Sequence, residues 1–99
     1  MPSLIARFFG LTGDPELPPK AAMLIAQRYG RLSRREAQVV VKAYLGASRK
    51  ELSEEFDVSK ETISTNWKRV YEKTGFHTQE EVYTWLEQLL EAALAESKA

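Results

Sequence analysis

Residues 48–75 read SRKELSEEFDVSKETISTNWKRVYEKTG. Two helix starts and one stop are written into this stretch. Ser48 followed by Glu51 has the capping-box pattern, in which the hydroxyl accepts from the N3 amide and the N3 carboxylate reaches back to the N-cap amide. Ser59 is a second N-cap without the glutamate, and Gly75 stands where a left-handed residue closes a helix. The pattern predicts helices over 48–56 and 59–74, separated only by the link Phe56-Asp57-Val58-Ser59. Such a link is too tight for a hairpin of long antiparallel helices and suits the near-perpendicular turn of a helix-turn-helix. The second helix has two unlike faces. At about 100° per residue, Ile63, Trp67 and Val70 share an inner stripe. Glu61, Ser64, Thr65, Lys68 and Glu72 lie opposite, flanked by Thr62 and Arg69.

The same punctuation continues in both directions. Ser33-Arg-Arg-Glu36 and Thr78-Gln-Glu-Glu81 repeat the capping box, Gly46 supplies another stop, and Gly30 ends an earlier segment. Helices are predicted over 33–45 and 78–96, with a further one near 19–29 after the proline pair. Strand signals are nearly absent: the only β-branched run, Val39-Val40-Val41, sits inside a helical period. The expected fold class is all-α, with Leu32, Val40, Val41, Leu45, Leu52, Phe56, Ile63, Trp67, Val70, Val82 and Leu86 among the residues meeting in one core. Two divisions are expected. Residues 1–30 form an N-terminal extension comprising an apolar patch (Leu4, Ile5, Phe8, Phe9, Leu11), a turn-rich linker and a short helix. Residues 31–99 form the helix-turn-helix domain with an extended C-terminal helix.

The bulk composition excludes more than it proposes. Ninety-nine residues with 43% hydrophobic and 28% charged content fit one small core. With no cysteine and one histidine, His77, a thiolate or imidazole metal cage is not expected. No GxSxG, P-loop or glycine-rich phosphate cradle is present, so neither catalysis nor a cofactor is expected. Glu54 and Glu55 are adjacent carboxylates, but neighbours on a helix diverge by about 100° and cannot flank one bond. There is no apolar run long enough for a membrane span and no secretory signal, which predicts a soluble cytoplasmic protein. The formal net charge is zero, yet residues 31–75 hold ten Lys/Arg against seven Asp/Glu, while residues 76–99 hold one against five. A mildly basic middle precedes an acidic tail.

From Leu32 to about Tyr83 the chain resembles the LuxR/GerE-type (FixJ-like) helix-turn-helix DNA-binding domain of bacterial transcription regulators. The resemblance rests on Leu32-Ser33, Arg35-Glu36, Val39, Gly46, Ser48, Lys50-Glu51-Leu52, Glu54, Val58-Ser59, Thr62-Ile63, Val70-Tyr71, Lys73 and Gly75, in order and at the family's spacing. It implies a four-helix domain, here with a short helical N-terminal extension, whose third helix enters the DNA major groove and whose fourth often pairs two copies. The sequence departs from the family at Glu61, where lysine is often found, at Ser64, where Lys or Arg is common, and at Asn66, where histidine is common.

With that resemblance, the outer face of the 59–74 helix becomes a candidate reader of base edges. Lys68 can donate to guanine, Thr65 can offer its methyl to thymine, Ser64 can bond several edges, and Glu61 can accept from cytosine. Arg49, Lys50, Thr62, Arg69 and Lys73 are the candidate phosphate contacts, which fix register without reading sequence. The expected function is sequence-specific binding of double-stranded DNA by a transcription regulator without its own sensor domain, since only some 30 residues precede the matched region. The rivals are a protein-binding adaptor that keeps the fold, suggested by Glu61, Ser64 and zero net charge, and a sigma-factor-like promoter or RNA polymerase-binding module. A homodimer is expected through Leu89, Leu90, Ala93 and Leu94, an apolar stripe that overruns the domain, with cover of that overhang by the 19–29 helix of the same chain as the alternative. The N-terminal patch is the candidate site for a protein partner, with folding back onto the domain as the alternative.

Overall fold

A computed structural model of the chain describes residues 17–97, with side chains described over 20–93. Five helices follow one another without a strand among the described residues: α1 (Leu17–Gly30), α2 (Arg34–Tyr44), α3 (Arg49–Phe56), α4 (Lys60–Thr74) and α5 (Gln79–Ser97). Each begins and ends within about two residues of its predicted bounds. The apolar patch at Leu4, Ile5, Phe8, Phe9 and Leu11 lies outside the described residues.

The caps form as the sequence requires. Ser33 and Ser48 each close a reciprocal capping box with Glu36 and Glu51, and Thr78 does the same with Glu81, at 3.1 and 3.2 Å. Ser59 accepts from the Thr62 amide at 3.1 Å. Gly46 and Gly75 adopt φ of 111° and 82°. The sharp exit from α3 is made instead by Asp57, left-handed at φ 55°, with the Val58 amide donating back to the Ser53 carbonyl at 2.9 Å. Asp enters that region more readily than most residues, so the turn between α3 and α4 needs no glycine.

The core draws on all five helices. Leu52, Ile63, Val70, Val82, Leu86 and the run Val39–Val41 are essentially inaccessible to solvent, each such side chain being worth about 1.5–3 kcal/mol of burial. Trp67 is 6% exposed and meets Tyr83 edge-on at 6.1 Å, while Tyr83 meets Tyr44 at 5.5 Å. The Tyr44 hydroxyl donates to Glu87 at 3.0 Å. Burial, reinforced by that carboxylate, pushes the Tyr44 phenol up to about 12.

Two expectations fail here. Leu45, expected inside, is 46% exposed, because the helix has already ended and the chain is turning into Gly46. Leu90, expected on an exposed overhang of the last helix, is fully buried in the same cluster as Ala22 and Ala26 of α1. Helix α1 covers that part of α5, and small alanines on its inner side permit the close approach. Leu90 is therefore unavailable to a second copy. Leu89 and Ala93 remain half-buried, and the side chain of Leu94 lies outside the described residues.

Candidate nucleic-acid interface

Helix α4 is held by its inner side. Ile63 and Val70 are completely buried, which fixes the helix about its own axis and turns Glu61, Thr65, Lys68, Arg69 and Glu72 to solvent. Lys50, Lys68 and Arg69 have no hydrogen-bond or ion-pair partner among the described residues. Their charges stand in water, where a polyanion can reach them.

Four other predicted contacts are already engaged within the chain. Arg49 Nη1 donates to the Ser64 hydroxyl at 3.0 Å, so Ser64 is half-buried beneath the guanidinium instead of standing free on the outer face. The bond ties the N-terminus of α3 to the middle of α4. Four of the five guanidinium N–H donors of Arg49 are left, so a phosphate contact there survives alongside the tie. The hydroxyls of Thr62 and Ser59 share a bond at 3.0 Å, beside the amide that Ser59 caps.

Lys73, a fourth, is tied across the core. Its ammonium lies 2.7 Å from Glu36 Oε1, and the Glu36 side chain is only 4% exposed. Burial pushes the Glu36 carboxyl up, but the bonds from Lys73 and Ser33 and the lysine charge outweigh it and hold the group below the ordinary carboxylate range. The lysine side chain is 38% exposed, so water screens its side of the pair, and two of its three ammonium N–H donors remain for another partner. Lys73 joins the C-terminal end of α4 to the N-terminus of α2. The N-terminus of α3 is likewise partly taken: the Glu51 carboxylate already accepts from the Ser48 amide at 2.9 Å.

The sequence placed Trp67 inward, where it is found, and the half-buried Tyr71 lies beside it with ring centroids 5.7 Å apart. It did not reveal the cleft of about 510 Å³ that these rings line with Tyr83, Ser48, Arg49 and Ser64, beside α4. The cleft needs four segments to converge, and no local pattern announces it. Asn66 carries a buried side-chain nitrogen without a partner among the described residues. His77 is exposed.

In comparisons with known proteins, the family model GerE, described as bacterial regulatory proteins of the luxR family, matches residues 30–86, more than half of the chain. No curated protein and no solved structure matches.

Proposed function

The chain belongs to the luxR family of bacterial regulatory proteins, which are DNA-binding transcription regulators, and from that premise we propose that it binds double-stranded DNA sequence-specifically, with α4 in the major groove. The observation that carries this reading is the outer face of α4, where Lys68 and Arg69 stand unpaired beside Thr65 and Glu61 on a helix locked by its buried side. Lys68, Thr65 and Glu61 read bases, while Arg69, Lys50, Arg49, Thr62 and the remaining donors of Lys73 hold phosphates, with Ser64 held by Arg49. Residues 31–99 act as the DNA-binding unit. A two-fold pair through α5 sets two such helices on half-sites about one helical turn apart, with Leu89 and Ala93 at the contact and Leu90 inside each copy.

Selection from a random duplex library by the intact chain, followed by two substitutions, tests the reading. Lys68→Ala relaxes preference at one base position and costs about 1–3 kcal/mol, whereas Arg69→Ala weakens all sequences nearly equally. The salt dependence corresponds to about three to five phosphate contacts per domain. If both substitutions lowered affinity identically across the library, the division of the face would be wrong. Absence of duplex binding at low salt would sink the function itself and leave the adaptor reading.

A further inference from the structure

The most basic part of this chain is not α4. Residues 17–47 carry six Lys/Arg and a single acidic residue, Glu36, and that carboxylate is buried and matched to Lys73. Three of the six, Lys20, Arg34 and Lys42, line a groove of about 500 Å³ between α1 and α2. Helix α1 contributes Lys20, Met23 and Leu24, and α2 contributes Arg34, Gln38 and Lys42. Leu24 is 67% exposed, the most exposed large hydrophobic among the described residues. Lys20 and Arg34 have no acidic partner among those residues, while Lys42 is held by Glu55 at 2.6 Å.

The groove also points away from the DNA-reading face. Along α2, Glu36 binds Lys73 of α4 and Tyr44 packs on Tyr83 of α5, so the stripe 36, 40, 44 faces those helices. Arg34, Gln38 and Lys42 lie two positions earlier on each turn, about 200° around the helix. A duplex seated on α4 would leave them free.

We propose that this groove is a docking site for an acidic amphipathic segment of a partner protein. The rim supplies cations for carboxylates, and the Gln38 amide adds a hydrogen-bonding group. Met23 and the exposed Leu24 supply an apolar floor for one or two side chains, in the manner of a helix laid in a groove. The floor selects peptide over nucleic acid, because a phosphate backbone has nothing to place on it. Charge selects the sign of the partner: a basic segment would meet like charges along the whole rim. A carboxylate arriving at Lys42 must compete with Glu55, so Lys20 and Arg34 carry most of the attraction.

The probe is a labelled synthetic peptide of about twelve residues, with leucines at the i, i+3, i+4, i+7 positions of one helical face and glutamates elsewhere, titrated into the intact chain by fluorescence anisotropy and amide NMR. A version with lysine for glutamate is the control, and the double variant Lys20→Glu, Arg34→Glu is the key comparison. Both positions lie in the first turn of a helix, where a negative charge favours the helix macrodipole, so the variant keeps its fold. The acidic peptide is expected to bind, the lysine version not, with shifts confined to α1 and α2. The double variant weakens binding about tenfold or more while affinity for the selected duplex is unchanged. Unchanged peptide affinity in the variant, or shifts on α4, would overturn the proposal. So would a parallel loss of duplex affinity, which would make the groove a DNA surface, or a change in the sedimentation of the free chain, which would make the occupant a second copy. Binding that required Asp14→Asn and Glu16→Gln would identify the occupant as the chain's own N-terminal segment and would equally overturn it.

Discussion

Glu36 shows how one residue serves two levels of the fold. Within α2 its carboxylate accepts from the Ser33 amide at 2.9 Å and completes a cap; across the core it accepts from Lys73 at 2.7 Å. The first role was legible, because the spacing Ser33 to Glu36 is local. The second was not, because the two partners are 37 positions apart and only the packing of α2 against α4 brings them together. The same limit hid the ties of Lys73 to Glu36 and of Ser64 to Arg49. A pH dependence follows. The Glu36 carboxyl is depressed in the folded chain, so its contribution to stability is full above the ordinary carboxylate range and is lost as pH falls through the depressed value. Glu51 is depressed by bonds from Ser48, and Glu81 first by the His77 amide and then by Thr78, and both act in the same direction, so Glu36→Gln removes only part of the acid sensitivity. The glutamine still accepts from Ser33. Denaturant melts at a series of acid pH values are expected to show a shallower loss of stability for this variant than for the parent, and parallel curves would show that the ion pair carries no stability.

At the scale of elements, the caps and stops were readable because they are chemistry over three or four residues, and the helix bounds followed. Gly30 was read correctly as the end of a helix, but for an incomplete reason. The left-handed residue there is Arg31, at φ 55°, and Gly30 is the last residue of α1. What demands glycine is α5: a Cβ at Gly30 would stand 2.6 Å from the Trp85 ring and 3.1 Å from Leu32. The absence of a side chain lets α5 cross close to the end of α1, with Trp85 leaning on Phe76 at 6.1 Å on its other side. Gly30→Ala is therefore expected to destabilise by about 1–3 kcal/mol through overpacking, although alanine is the better helix former by about 1 kcal/mol. A thermal melt gives the sign directly, and an unchanged or raised Tm would mean that Trp85 swings aside at no cost.

For the whole molecule the open matter is what meets the apolar strip along α1 and α5. Leu89 and Ala93 border a hollow of about 490 Å³ with Ile25 and Tyr29, and Ala92 is exposed beside them. Leu90, on the inner side of the same helix, is sealed by Ala22 and Ala26. Substitution of the two neighbours should thus separate association from folding. Leu90→Ala is expected to cost about 2–5 kcal/mol of stability, whereas Leu89→Glu with Ala93→Glu, at half-buried positions, lowers the melt less and converts a sedimenting dimer to a monomer. A parent chain that sediments as a monomer both free and on its selected duplex would reject the two-fold pair. By itself the sequence determined the all-helical class, the positions of the caps, the inner stripe of α4 and the family, because each is written in spacings of a few residues or in their order along the chain. Tertiary structure decided that α1 is what covers α5 and buries Leu90, that Lys73 and Arg49 bond Glu36 and Ser64, and that Lys20 and Arg34 come to share one groove. Those outcomes depend on which helices lie side by side, and a helix's periodicity says which face it buries without saying against what.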